Sequence, residues 1–210
     1  MRLTEEAIQQ LDRKKRLKLM NSITGVKPCN LVGTIDEKGQ SNLAIFSSAI
    51  HLGSDPALIG LVSRPTTVPR HTYENILSTK EYTLNMVQEG FFENAHYTSA
   101  KFEKSVSEFR RCGLKEEYEE GYLAPFVKES SLKIALRLVE VLPIRSNSCH
   151  LLIGRVVLVK MEKDLSLRDD AIDLDHSHAV GVGGLNDYYA LQHIGSFPYA
   201  RPDETPDFHG

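Results

Sequence analysis

Two long segments of alternating apolar and polar residues constrain the fold of this chain more than any other feature. They cover residues 131–143 and 149–161, with only a short turn between them. A period of two places the apolar side chains on one face of a strand, as in antiparallel sheets that have one face on a core. The two segments therefore predict long antiparallel strands, of the kind that close into a small barrel.

The rest of the chain is also rich in strands. Shorter strands are predicted at 29–36, 41–50, 57–63 and 81–87. Helices are predicted at 4–20, 71–78 and 102–113. An open doubly wound sheet needs a helix after each strand, and this pattern does not supply one. We therefore predict a mainly β fold, a β-barrel with inserted short helices.

The predicted domain organisation is simple. A chain of 210 residues is long enough for one domain with extensions. We predict a single domain over residues 1–210, to which the helix at 4–20 and a tail at 181–210 are extensions. The tail is rich in glycine, proline and aromatic residues, and its aromatic, proline-rich part at 197–202 suits docking on a neighbouring chain.

Composition excludes several classes of protein. The 25 basic and 28 acidic residues are scattered and give a net charge of −3, unlike the basic surface of a nucleic-acid-binding protein. No apolar run approaches the roughly 20 residues that span a bilayer, and the N-terminus lacks the apolar core of a signal peptide. We therefore expect neither a nucleic-acid nor a membrane partner.

The cysteines indicate a reducing compartment. Cys29, Cys112 and Cys149 are odd in number, lie far apart and have no CxxC spacing. This pattern is unlike a disulfide framework or a zinc site, and it predicts reduced thiols in the cytoplasm. Each cysteine is interpreted as a small core or surface residue, and the sequence gives none of them a further role.

The candidate binding site lies within residues 41–75. An apolar strand ends at the hydroxyl pair Ser47 and Ser48, and its small residues would let a planar ring approach the main chain. The alternative is an ordinary polar strand end. After a second strand comes a basic loop, which opens a helix and holds Ser63, Arg64, Arg70, His71 and Thr72.

That basic loop predicts a bound phosphate. The planar fork of an arginine matches phosphate oxygens, and a helix N-terminus with a threonine adds N–H and hydroxyl donors. The alternative is a solvated loop with a capping Thr72 or His71. Asn75 lies one helical turn after Thr72, so it either contacts the ligand or hydrogen-bonds within its own loop. We expect a phosphorylated small molecule in this place.

Two further clusters carry weaker signals. Residues 181–184 read GVGG, which is not a dinucleotide-binding fingerprint and is interpreted as a flexible loop. A second cluster contains Asp173, Asp175, His176 and His178. The two histidines would share a face in a strand, as metal ligands require, but no third ligand can be identified. We interpret this cluster as a polar loop, predict no metal and leave its role open.

Several segments together resemble the flavin reductase-like family, the FMN-binding split barrels that include flavoredoxin-type proteins. SNLAIFSS at 41–48 resembles the family's strand end, and SRPTTVPRHTYENI at 63–76 resembles its basic loop. Four later segments occur in the same order as in the family: TSAKF at 98–102, VEVLPI at 139–144, HLLIGRVV at 150–157 and YYALQHIGSFPYARP at 188–202. The resemblance covers residues 20–202.

The resemblance implies a six-stranded antiparallel split barrel that forms a homodimer with FMN near the interface. It implies ring and ribityl contacts by Asn42, Ala44, Ile45, Phe46, Ser47 and Ser48. It implies phosphate contacts by Ser63, Arg64, Arg70 and Thr72.

The function that follows from the resemblance is that of an FMN-dependent oxidoreductase. NAD(P)H is the expected reductant, the electron acceptor is unknown, and no side chain is expected to act as a catalytic acid or base because the cofactor carries the chemistry. The first alternative is a non-catalytic FMN-binding electron carrier. The second is the same barrel binding haem or a pyridoxal-type phosphate.

Overall fold

Antiparallel strands dominate the computed structural model, which describes residues 2–163, 165, 167, 168 and 170–204. The helices are α1 (Glu5–Gln10), α2 (Arg13–Ser22), α3 (His71–Thr79), α4 (Phe92–Tyr97) and α5 (Glu108–Arg111). The strands of the first half are β1 (Lys27–Pro28), β2 (Asn30–Ile35), β3 (Ser41–Phe46), β4 (Ala49–Ser54), β5 (Ala57–Ser63) and β6 (Glu81–Met86). Those of the second half are β7 (Glu116–Glu117), β8 (Phe126–Val127), β9 (Leu132–Ile144), β10 (Cys149–Met161), β11 (Leu167–Arg168), β12 (Ala171–Ile172), β13 (Val180–Gly183) and β14 (Asp187–Ala190).

One bent strand closes the main sheet into a barrel. Within the described chain, this sheet has seven strands in the order β3-β2-β6-β9-β10-β5-β4, and all neighbours are antiparallel. β3 and β4 lie at its opposite edges, yet only Ser47 and Ser48 separate them along the chain. Counted as the two halves of one strand, they reduce seven strands to six. The predicted six-stranded split barrel is confirmed in this form.

Two apolar clusters lie on opposite faces of the barrel wall. The interior cluster contains Val32, Leu61, Ile76, Tyr82, Leu84, Leu136 and Leu152. The outer cluster packs α4, α5 and β13 against β2 and β3, and its members include Leu31, Leu43, Phe91, Phe109 and Val180. Strands β2 and β3 are therefore covered on both faces, which holds the candidate site between two packed layers.

The predicted helix at 4–20 is wrong as one element, because the chain forms two helices there. Thr4 caps α1 as its composition predicts, with its hydroxyl accepting from the N–H of Ala7 at 3.3 Å. Leu11 is extended and ends α1, and the carboxylate of Asp12 then accepts from the N–H groups of Lys14 and Lys15. An aspartate at an N-cap starts a new helix more favourably than it continues an old one. None of the described helices is long and apolar enough to cross a membrane.

The predicted helix at 102–113 is also mostly wrong, since only α5 at Glu108–Arg111 is helical. The two ends of this segment are drawn to different partners. The ring of Phe102 packs on Tyr97 at a centroid distance of 5.4 Å, while Phe109 is buried in the outer cluster. Tertiary contacts thus override the helical spacing.

Residues 181–184 form no flexible loop, and that prediction is wrong. β13 pairs with both β1 and β14, and residues 180–184 are buried. A Cβ on Gly181 would lie 2.1 Å from Cγ1 of Val26, so glycine permits close packing of the strand here rather than mobility. The final residues of the predicted tail, 205–210, lie outside the described residues.

Candidate functional site

A buried hydrogen-bond network joins β2, β3 and α3 beneath the candidate site. The amide of Asn42 on β3 donates to the hydroxyl of Thr72 at 3.0 Å and to that of Thr34 at 3.2 Å. The amide of Asn75 on α3 donates to the same Thr34 oxygen at 3.2 Å. All four residues are buried. Because buried amides cost free energy unless they are paired, this network fixes where α3 sits on the barrel.

This network gives three of the predicted ligand-binding residues hydrogen-bond partners within the protein. Asn42, Thr72 and Asn75 are brought together, as the sequence predicts, but their side chains engage each other and Thr34. Of the two alternatives for Asn75, the structure shows hydrogen bonding within the protein. A direct contact of these residues with a cofactor stays a prediction.

The other predicted ring contacts on β3 point to opposite faces of the barrel wall. Directly opposed residues of an antiparallel pair share a face, so Ala44 faces the interior with its partner Val32. Phe46 also packs against the interior cluster, whereas Ile45 packs against the outer one. Their side chains therefore cannot form one continuous surface, and the feature that they share is the main chain.

The free edge of β3 offers main-chain hydrogen-bonding groups. The N–H of Leu43 points away from β2 and donates to a carboxylate oxygen of Glu108 on α5 at 3.0 Å. Main-chain groups alternate in direction along an antiparallel pair, so those of Ile45 point to the same free edge. Among the described residues, no side chain hydrogen-bonds to the main chain of Ile45, which leaves this edge open from Ile45 onward.

The break between β3 and β4 follows this open edge. The hydroxyl of Ser48 donates to the carbonyl of Val62 at 2.9 Å, and the N–H of Val62 donates to the carbonyl of Ser48 at 3.4 Å. Ser48 therefore already belongs to the β5 side of the barrel. Ser47 is half-buried and lies at the point where the strand changes partners.

The basic loop between β5 and α3 carries the predicted phosphate ligands. Ser63 is buried, and its hydroxyl donates to the carbonyl of Arg64 at 3.4 Å, whereas the Arg64 side chain is exposed. The Nε of Arg70 donates to the carbonyl of Pro65 at 3.1 Å. No other described residue hydrogen-bonds to the Nη atoms of Arg70, so its guanidinium retains donors for an anion.

The N-terminus of α3 adds main-chain donors to the basic loop. No side chain caps this helix, and the N–H of Arg70 donates to Oε1 of Glu74 at 3.1 Å. The first turn of a helix has unpaired N–H groups and the positive end of the helix dipole. His71 and Thr72 lie in that turn beside two arginines, which is a donor set suited to a phosphate.

The sequence does not predict the roles of two residues in this region, Thr34 and Glu108. Thr34 comes under Asn42 only through the β2–β3 register, and Glu108 meets Leu43 from 65 positions away. Burial raises the pKa of Glu108, against hydrogen bonds from Leu43 and from its own N–H and the charge of His71, which lower it. A glutamate in a charge-rich stretch usually faces solvent, so the sequence carries no signal for either role.

The second polar cluster does not assemble a metal site. Asp173 is buried and accepts from Arg168 at 2.6 Å and from the ring of His176 at 3.0 Å, while His178 lies near Glu89 instead. Among the described residues, no group of three or more potential ligands could hold a metal ion. Beside this cluster, a cleft of about 560 Å³ lies between Ile172–Asp175 and Leu191–His193, apart from the candidate site.

The barrel closed by a bent strand, with an open main-chain edge beside a basic loop, defines a split-barrel protein of the flavin reductase type. The sequence family described as flavin reductase like domain matches residues 25–174. That match covers more than half of the chain, so the chain belongs to the flavin reductase-like family. The resemblance drawn from the sequence is thereby confirmed.

Solved structures support the same assignment. The crystal structure of a candidate flavin reductase with a split barrel domain from Shewanella frigidimarina NCIMB 400 is 42% identical, with a TM-score of 0.91 over 95% of this chain and 100% of that one. Flavoredoxin of Desulfovibrio vulgaris (Miyazaki F) is 25% identical, with a TM-score of 0.71 over 81% and 90%. Nitrilotriacetate monooxygenase component B from Bacillus cereus shares the fold at 21% identity, with a TM-score of 0.82 over 93% and 98%.

Proposed function

We propose that this chain binds FMN and acts as an NAD(P)H-dependent oxidoreductase that passes electrons to an acceptor not yet identified. The single observation that carries the proposal is that the open main-chain edge of β3 continues toward the basic loop between β5 and α3. The open edge of β3 leads through Ser47 to Ser48, whose hydroxyl donates to the carbonyl of Val62 near the end of β5. The basic loop with Arg64 and Arg70 follows β5. Hydrogen-bonding main chain suits the polar edge of a flavin ring, and the loop suits its phosphate.

The residues present fit FMN in a second respect. The α3 N-terminus has no capping side chain, and the Nη atoms of Arg70 have no partner among the described residues. These donors would hold one terminal phosphate. Main-chain groups from Ile45 to Ser48 would orient the ring, while the network around Thr34 keeps β3 and α3 at a fixed separation.

Bound FMN would supply the redox chemistry, namely uptake of two electrons from a nicotinamide and their transfer to an acceptor. The protein would contribute binding, orientation and exclusion of water. We propose no catalytic acid or base among its side chains.

The test begins with the absorbance spectrum of the full-length protein as isolated and after addition of FMN. We expect flavin bands, and bleaching under anaerobic NADH or NADPH. Steady-state oxidation of each nicotinamide, with and without free flavin, separates a reductase from an electron carrier, which would show a reversible couple without turnover. A flavin that stays oxidised with both nicotinamides contradicts the reductase. A haem Soret band, or the spectrum of a pyridoxal-type phosphate, contradicts FMN.

We propose that the chain forms a homodimer through the outer face of the barrel. Ile50, Leu52 and Leu151 converge around Gly60 on that face, and Leu142 pairs with Leu151. We call these four side chains the Gly60 patch. Ile50, Leu52 and Leu142 are each 40–46% exposed, and a contiguous apolar surface of this kind is typical of an interface. Two members of the patch, Ile50 and Leu52, lie on β4, which begins directly after Ser48, so a second copy there would border the candidate site.

Cytoplasmic localisation is also part of the proposal. All three cysteines are free thiols, and burial raises the pKa of Cys29 to about 12 and that of Cys112 to about 11. Buried thiols with raised pKa values, like those of Cys29 and Cys112, are poor nucleophiles and suit a structural role in a reducing compartment. Fractionation of cells that express the native chain would test this.

A further inference from the structure

We propose that Glu108 is a positioning residue for the flavin, because its carboxylate sets the point at which the open edge of β3 begins. This inference rests on the proposed FMN binding. Glu108 does not need to touch the cofactor. It acts through Leu43, whose main-chain N–H it holds.

The placement of Glu108 is unusual for a carboxylate. Its side chain is inserted between α5 and β3, and the residue is only 5% exposed. Its neighbour Phe109 anchors α5 in the outer cluster, so the carboxylate is held against the strand rather than reaching it from solvent. Placing a charge-bearing group there costs free energy, which one good hydrogen bond to the main chain only partly offsets.

Glu108 is part of a longer cover over the first half of the β3 edge. Two residues before Leu43, the hydroxyl of Ser41 donates to Glu116 at 2.5 Å and lies 2.9 Å from the hydroxyl of Ser107. The segment 107–116 thus contacts the side chain of Ser41 and the main chain of Leu43. At Ile45, one repeat further, no described side chain continues this cover.

The consequence is a defined register for a ligand on this edge. A fully open edge strand would offer the same pattern of N–H and C=O groups every second residue, so a planar ring could bind in more than one position. With the N–H of Leu43 occupied, the first free outward N–H is that of Ile45. Along the strand, this N–H is also nearer than that of Leu43 to Ser47, Ser48 and the basic loop, so one register serves ring and phosphate together.

Amide hydrogen exchange followed by NMR on the perdeuterated full-length protein tests this without any variant. In the free protein we expect a slowly exchanging Leu43 amide and a faster Ile45 amide. Addition of FMN should slow exchange at Ile45 and leave Leu43 unchanged. FMN binding without slower exchange at Ile45 overturns the inference.

Two variants and a control complete the experiment. Glu108→Ala should raise the Kd for FMN about tenfold or more and change the visible circular dichroism of the saturated flavin, because the ring is no longer confined to one register. Glu108→Gln keeps a carbonyl that accepts from Leu43 and should restore both. Glu129→Ala removes a carboxylate that accepts from the N–H of Lys115 at 3.1 Å elsewhere, and should change neither.

The outcomes separate this inference from the proposed function. A Glu108→Ala protein with wild-type Kd and circular dichroism overturns the role of Glu108 alone, since the wild type still binds FMN. A wild-type protein that binds no FMN overturns both. If Glu108→Ala does not fold, the Gln variant and the wild-type exchange rates at Ile45 still decide the matter.

Discussion

The hydroxyl of Tyr82 lies against the backbone of Gly154 in the barrel interior, where a Cβ on Gly154 would be 2.1 Å from that oxygen. The Tyr82 hydroxyl is buried and has no hydrogen-bond partner within the described structure. A glycine on β10 therefore accommodates a large side chain from β6 across the barrel. Substitutions of Gly154 or Tyr82 should therefore change the free energy of unfolding.

We expect Gly154→Ala to lower the free energy of unfolding by about 1–3 kcal/mol, since the added methyl overpacks the core against Tyr82. Tyr82→Phe removes an unpaired buried hydroxyl and should be neutral or stabilising by up to about 1 kcal/mol. The double variant should lose less than the sum of the two. Urea unfolding measures all three, with Gly90→Ala as the control because a Cβ there meets nothing within 4 Å. Strict additivity would contradict the contact.

Tyr122→Phe should be more damaging than a usual hydroxyl deletion. The Tyr122 hydroxyl accepts from the N–H groups of Tyr82 and Leu136, at 3.1 and 3.0 Å, and lies within hydrogen-bond distance of both carbonyls. Its removal leaves buried main-chain groups without this partner, so we expect a loss of about 3 kcal/mol in urea unfolding. Tyr118→Phe, whose hydroxyl bonds only to the exposed Glu116, should lose under about 1 kcal/mol. Equal losses would contradict this account.

Arg70→Ala should weaken FMN binding by about 1.5–3 kcal/mol, the range for a lost charged hydrogen bond. Fluorescence titration of FMN into the apoprotein measures it. The matched control is Arg13→Ala, since Arg13 is an exposed arginine on α2, away from the loop. Unchanged affinity in Arg70→Ala would remove this residue from the phosphate site.

Glu108→Gln should change how stability depends on pH. Burial raises the folded-state pKa of Glu108 above its unfolded value, so its protonated form stabilises the fold below the unfolded pKa. That contribution is lost as the pH rises through the folded pKa. The variant cannot ionise, and it should therefore gain stability relative to the wild type in urea unfolding as the pH rises above 4.5, the ordinary pKa of a glutamate. A difference that is constant with pH would show that Glu108 has an ordinary pKa.

Leu52→Glu should dissociate the proposed homodimer, because it places a charge in the Gly60 patch. Sedimentation velocity at several protein concentrations measures the assembly. Leu17→Glu is a control of similar exposure, at 49% compared with 40% for Leu52. A wild type that is monomeric at all concentrations, or a Leu52→Glu protein that remains a dimer, would exclude this interface.

Sequence patterns predict the elements whose signal comes from neighbouring residues. Alternation over 131–143 and 149–161 predicted β9 and β10 to within about one residue at each end, and the apolar run at 57–63 is β5. The basic loop and α3 were also found from composition and helix-start signals. These features depend on side chains close in sequence, where periodicity and capping act directly.

Features that depend on distant partners become visible only in the folded chain. Only the fold makes residues 180–183 a buried strand, since β13 exists through its pairing with β1 and β14. Only the register brings Thr34 under Asn42, and only the docking of α5 brings Glu108 to Leu43. The physical reason is common to all three, because a hydrogen bond or a packed contact between remote residues leaves no periodic trace in the sequence around either of them.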